Sequence, residues 1–268
     1  MTRLLTAAVL VPLTWYLCKR APFPAFLVAA LVVVALASWE AYGLLQTRGS
    51  RPFRSLGVLL CLATAWGFAA KPAALTPLAA LSAAAVLVPV GVLWRRDDPA
   101  AMLDAAVTTV APVLFVGFTL GHCVGLRAVA GEDGSDLLML LLVCVALADA
   151  AAYYVGTAFG RHPLAPKVSP KKSWEGAAGG LAGSVAGSML AHFWFFQRLS
   201  VPHALAIAAA VWAAGIVGDL AESAWKRAAG VKDSSALLPG HGGMLDRIDG
   251  LLVAGPVLYY YWRAFLAA

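Results

Sequence analysis

An all-α, polytopic bundle of transmembrane helices is the fold class this sequence predicts, and three observations predict it. Of 268 residues, 61% are hydrophobic and 13% charged, with a mean hydropathy of +0.80; soluble domains carry about 25% charged residues. The apolar residues fall in successive runs near the roughly 20 residues that a helix needs to cross a hydrocarbon core about 30 Å thick. None of these runs alternates with the period of a barrel strand. A backbone in lipid must satisfy its own hydrogen bonds, which leaves helices.

In chain order, spans are expected near 4–18, 23–45, 56–71, 74–94, 105–128, 137–159, 176–197, 202–225 and 250–266. The boundary near Lys71 and Pro72 leaves the total at eight or nine. The start of the chain, Arg3 followed by an apolar run, imitates a secretory signal. It lacks a small-x-small cleavage site after Cys18, so it is expected to be a first anchor. Residues 1–135 are expected to be packing helices and 136–268 a catalytic region, the two forming one integrated membrane domain.

Orientation follows from Lys and Arg. With nine spans and the N-terminus inside, the cytoplasmic side would hold Arg3; Arg48, Arg51, Arg54; Arg95, Arg96; Arg161, Lys167, Lys171, Lys172; and Lys226, Arg227, Lys232, Arg247, which is 14 of the 20. A multi-pass protein of a bacterial-type cytoplasmic (inner) membrane is expected, its site facing the cytoplasm. The net charge of +6 then reflects topology and attraction to lipid surfaces rather than nucleic acid. Cys18, Cys61, Cys123 and Cys144 lie in or beside apolar runs without a C-x-x-C spacing and read as small buried hydrophobes.

The first half offers little chemistry. Glu40, late in the second span beside Trp39, reads as a carboxylate reaching the headgroups from a helix end. The second half differs. Asp149 sits mid-span in A-L-A-D-A-A-A-Y-Y-V-G, where a carboxylate costs about 2.5–3.5 kcal/mol; Tyr153 shares its helical face. In G-R-H-P-L-A-P-K-V-S-P-K-K-S-W-E-G, residues 160–176, three prolines prevent a continuous helix. Ser173 then reads as an N-cap, with Glu175 in the first turn. Lys171 and Lys172 beside that helix start suit an anion. Glycines at four-residue spacing from Gly176 to Gly187 predict close helix packing.

Residues 219–249 are the least membrane-like stretch and the candidate active site. Asp219, Glu222, Ser223 and Lys226 follow a helical i, i+3, i+4, i+7 pattern, a face that must look into protein or water. Glu222 and Lys226 also suit an i,i+4 pair. Pro239, Gly240, His241, Gly242 and Gly243 lead into an apolar helix whose start carries Asp246, Arg247 and Asp249. Glycines before a helix allow backbone N–H groups to converge on an anion, and carboxylates there suit a divalent cation between protein and phosphates. Phosphoryl or nucleotidyl transfer onto a lipid phosphate fits this set. His241 is left as a loop histidine, a phosphate contact or a proton carrier. An ion or solute transporter coupled through Asp149 and Asp219 is the rival from another class, and no internal repeat favours it.

The run S-A-W-K-R-A-A-G-V-K-D-S-S-A-L-L-P-G-H-G-G-M-L-D-R-I-D, Ser223 to Asp249, resembles the signature of the phosphatidate cytidylyltransferase (CDP-diglyceride synthase) family. D-A-A-A-Y-Y-V-G and S-P-K-K-S-W-E-G resemble its other two blocks, so the likeness covers roughly 140–268. Trp225 stands where the family usually has Phe or an aliphatic residue, a departure expected to affect packing. The D-G-x-x-A-R pattern of CDP-alcohol phosphatidyltransferases is absent. The resemblance implies a Mg²⁺-dependent reaction of CTP with phosphatidic acid, giving CDP-diacylglycerol and pyrophosphate, in a membrane-embedded homodimer. A second, monovalent cation such as K⁺ is also implied. On the matching positions Asp219 and Asp246, then Asp249 and Asp149, become metal ligands. Ser223, Lys226, Arg227, Lys232, His241 and Arg247 would face phosphates, and Lys171, Lys172 and Ser173 the phosphatidate headgroup. The lipid phosphate, already ionised near pH 7, would be the nucleophile.

Overall fold

The computed structural model describes residues 2–69, 76–95, 97–131, 133–237 and 242–267. Among the described residues the helices are α1 (Thr2–Lys19), α2 (Phe23–Thr47), α3 (Arg54–Gly67), α4 (Pro77–Arg95), α5 (Pro99–Arg127), α6 (Asp133–Phe159), α7 (Trp174–Trp194), α8 (Val201–Ala228) and α9 (Leu245–Phe265). Five of them, α2, α4, α5, α6 and α8, are long and apolar enough to cross a membrane. The hinge expected near Lys71 and Pro72 lies outside the described residues.

Several helices begin before the apolar run does, because polar groups start them. Asp98 accepts from the N–H groups of Ala100 and Ala101 at 3.0 and 3.1 Å, so α5 starts at Pro99 rather than near 105; proline at the first turn loses no bond. α6 opens on Asp133 with Asp136 in its first turn, where the helix dipole favours acids. Within α5 the turns widen to i→i+5 over Val113–Phe118, directly after Pro112, which has no N–H to give the preceding turn.

Residues 163–173 form a departure from the all-helical expectation: a small antiparallel hairpin, β1 (Pro163–Ala165) with β2 (Ser169–Ser173). Ser173 leaves β2 and caps α7, its hydroxyl accepting from Gly176 N–H at 3.1 Å.

The described chain forms two compact units. One comprises residues 1–128 and 225–248. Its interior includes Tyr42, fully buried, whose hydroxyl donates to the Thr109 carbonyl at 2.6 Å. Trp225 packs there on Phe115 with ring centroids 4.9 Å apart, the packing role expected for it. The other unit comprises residues 129–224 and 249–268. Its α6 and α7 pack backbone to backbone along the glycine ridge: a side chain on Gly183 would strike the Leu147 carbonyl, and one on Gly179 would strike Val155. α8 is tied to α7 by Trp212, whose indole donates to the Ala177 carbonyl at 2.8 Å, and by Ser184, which donates to the Ala208 carbonyl at 2.9 Å.

Candidate active site

In the unit holding α6, α7 and most of α8, these helices and β2 enclose a cavity of about 640 Å³. Asp149, Tyr153, Lys171, Lys172, Trp212 and Asp219 lie on its wall, and Ser173 borders it at the start of α7. Seven residues of helix, about 10 Å at 1.5 Å per residue, separate Trp212 from Asp219 along α8. The wall therefore combines the lysines of β2 with an aromatic, apolar part at Val145, Val211 and Trp212. Such a cavity suits a ligand with an anionic head and an apolar body.

At Asp219 the cavity meets a cluster of carboxylates. Oxygens of Asp219, Glu222 and Asp249 lie within 4.8 Å of one another. Glu222 is fully buried and the other two are half-buried. Asp219 and Glu222 come together because they are three residues apart on α8. Asp249 joins them because Gly218 has no side chain: a Cβ there would collide with the Asp249 carbonyl, so only glycine lets α9 approach this closely. Lys172 forms an ion pair with Asp219, and the Ser223 hydroxyl donates to Asp219 at 3.3 Å. Oxygen-only donors in this number suit a hard cation such as Mg²⁺ or Ca²⁺ and not zinc.

Glu222 is the member of this cluster that sequence reasoning missed, because its i,i+4 spacing to Lys226 already offered it a partner. Its i,i+3 spacing from Asp219 was the signal that could have found it. Asp149, also expected as a ligand, is found on the cavity wall.

The other unit holds a second arrangement. Lys226 Nζ donates to Asp246 Oδ1 at 2.7 Å, with both side chains largely buried. Asp246 Oδ2 accepts from the Ser234 N–H at 3.0 Å, the Ser234 hydroxyl at 2.9 Å and the Gly243 N–H at 2.7 Å. Burial alone would raise the Asp246 carboxyl, but Lys226 and the two backbone donors outweigh it and hold it below its ordinary range. Asp246 thus closes the turn at the start of α9, and Gly242, at φ 79°, supplies a conformation that side chains rarely adopt. Arg227, Lys232 and Arg247 are exposed, with Arg227 donating to the Val231 carbonyl at 3.0 Å. His241 lies outside the described residues.

Glu40 departs from expectation. Instead of reaching toward headgroups it is buried, 6% exposed, and accepts from the Ser234 hydroxyl (2.9 Å), the Ser235 hydroxyl (2.6 Å), Met244 N–H (3.0 Å) and Leu245 N–H (2.8 Å). Its partners lie some 200 residues away, so no local pattern could reveal them.

In the first turn of α7, Glu175 accepts from the N–H groups of Arg161 and His162 at 3.1 and 3.2 Å and contacts the His162 ring at 2.5 Å. The Arg161 and His162 donors hold its carboxyl down to about 2.

Long apolar helices around a cavity lined by lysines and carboxylates define a helical membrane protein. The family model described as "Cytidylyltransferase family" matches residues 1–265, and the chain belongs to that family. It is similar to the phosphatidate cytidylyltransferases of Haemophilus influenzae (45% identity over 133 residues, 48% of this chain and 46% of that protein) and Pseudomonas aeruginosa (52% over 124 residues, 46% of each). It is also similar to that of Thermotoga maritima (35% over 176 residues, 64% of each). The chain spans about half the length of the first two relatives it matches.

Proposed function

We propose that this protein transfers the cytidylyl group of CTP to phosphatidic acid, forming CDP-diacylglycerol and pyrophosphate for phospholipid synthesis. The observation that carries this reading is the adjacency, at Asp219, of a three-carboxylate cluster and a cavity whose lysines and apolar part suit a lipid phosphate.

In the proposed reaction an ionised oxygen of phosphatidic acid attacks the α-phosphorus of CTP. The new P–O bond forms as the bond to the β-phosphate oxygen breaks, and pyrophosphate leaves with that electron pair. The nucleophile is already ionised near neutral pH, so no strong base is needed and none is assigned. Lys171 and Lys172 hold the lipid phosphate, with Ser173 beside them, while the apolar wall at Trp212 receives the start of an acyl chain. Asp219, Glu222 and Asp249 would hold Mg²⁺, which when bound neutralises developing charge on the phosphates; Asp149 remains a candidate for a second, monovalent ion such as K⁺. Exposed Arg227, Lys232 and Arg247 are proposed phosphate contacts. Asp246 and Lys226, engaged with each other, are proposed to hold the nucleotide-handling segment in shape, and His241 remains a candidate contact.

Nine spans, a site facing the cytoplasm, an inner-membrane location and a homodimer complete the proposal; the helices among the described residues and the distribution of Lys and Arg support the first three. Pyrophosphate release from CTP in detergent, dependent on phosphatidic acid and Mg²⁺, tests the activity. A solute transporter would release none, and neither would it convert phosphatidic acid to a cytidine-linked lipid.

A further inference from the structure

The start of α9 is capped from outside its own sequence. Helix N-termini leave their first N–H groups without intrahelical partners, and Ser, Thr, Asp or Asn at the cap usually accepts from them. Here Gly243, just before the helix start, has no side chain to offer. Asp246, three residues on, reaches back to the Gly243 N–H as the acidic half of a capping box does. The other half comes from α2: Glu40 accepts from the next two N–H groups, those of Met244 and Leu245. A side chain on Gly243 would run into Glu40 Oε2 and the Ser234 hydroxyl, so glycine there and glutamate at 40 are complementary.

Glu40 also accepts from Ser234 and Ser235, and thereby grips the chain on both sides of 238–241. Ser234 in turn bonds Asp246, which bonds Lys226. A carboxylate in a helix otherwise fit to cross a membrane is costly. A serine at the cap would do the local work more cheaply. An external clamp instead fixes where Ser234, Ser235 and the helix start sit relative to α2.

We infer that Glu40 is a positioning residue for the cytidylyl transfer: it sets the placement of Ser234 and the first turn of α9, and through them the Lys226–Asp246 pair. This rests on the proposed function, because the Lys226–Asp246 pair is the one proposed there to hold the nucleotide-handling segment in shape.

The test uses the full-length protein in detergent. Glu40→Gln preserves size, but its NH₂ would face donors where a carboxylate oxygen accepted. It is expected to lower kcat/KM for CTP about tenfold or more, the factor that one charge-assisted hydrogen bond represents, with KM for phosphatidic acid unchanged. Gly243→Ala, which pushes on the same carboxylate from the other side, is expected to give the same selective CTP defect. Hydrogen exchange at the 242–250 amides should rise in both variants while exchange in α6 and α7 does not. A fall in active fraction with unchanged KM and turnover per folded molecule would assign Glu40 a purely structural role and overturn the inference, as would wild-type kinetics in Glu40→Gln. If the wild-type protein makes no cytidine-linked lipid, the function proposal fails. Unchanged exchange at 242–250 in Glu40→Gln would then overturn the clamp independently.

Discussion

The Asp249 carbonyl occupies the place where a side chain on Gly218 would begin. That contact fixes the separation of α8 and α9 at the level where Asp219 and Glu222 meet Asp249. Gly218→Ala must therefore force the two helices apart. Because backbone rather than a flexible side chain stands in the way, the third carboxylate withdraws from the cluster. The expected result is at least a tenfold rise in the Mg²⁺ concentration needed for half-maximal activity, about 1.4 kcal/mol. A Mg²⁺ titration checks it.

The two acidic arrangements respond differently to neutralisation. Asp219→Asn and Glu222→Gln each remove a proposed metal ligand and are expected to abolish turnover while leaving the protein folded, since relieved carboxylate repulsion offsets the loss of the partly exposed Lys172–Asp219 pair. Asp246→Asn instead removes the charge from a largely buried ion pair with Lys226, and breaking such a pair costs about 3–5 kcal/mol. Parallel thermal melts and rate measurements should find Asp219→Asn inactive at an unchanged melting temperature. Asp246→Asn should melt markedly lower.

These contrasts also mark what the sequence could and could not disclose. The helices were legible because apolar runs of the right length leave the backbone one choice in lipid, and Ser173 was legible because capping is a contact three residues long. The partner of Asp219 at 249 was legible only as chemistry. Its placement depends on the missing side chain of Gly218, one of 25 glycines. The widening of α5 after Pro112 and the hairpin at 163–173 were hidden because proline says where a helix is disturbed and not what replaces it. Glu40 was misread for a simpler reason: its local sequence is that of any carboxylate near a helix end, and its four donors come from the far end of the chain.

Glu175 supplies a pH dependence whose sign is fixed. Its carboxyl is lowered from 4.5 to about 2 by the Arg161 and His162 donors. A lowered folded value means that the carboxylate stabilises the hairpin junction above the unfolded value, and that this contribution disappears as pH falls from about 4.5 toward 2. Glu175→Gln lacks it at every pH. The melting temperatures of wild type and variant should therefore differ most above pH 5 and converge near pH 2. A constant difference across that range would show that Glu175 acts only through its shape.

Lys172 joins the ion cluster to the cavity, pairing with Asp219 while lining the same wall as Lys171. If phosphatidic acid brings its phosphate to β2, the ammonium has to serve two anions: Asp219 before binding and the lipid phosphate after. Lys172→Met keeps much of the apolar stem and removes the charge, so it should raise KM for phosphatidic acid about tenfold while leaving KM for CTP within about twofold, a difference of about 1.4 kcal/mol assigned to one headgroup contact. Lys172→Arg keeps the charge and should recover part of the loss. Kinetics with each substrate varied in turn distinguish this from a general effect on Asp219, because losing the ion cluster itself would depress turnover at saturating concentrations of both substrates and Lys172→Met should not.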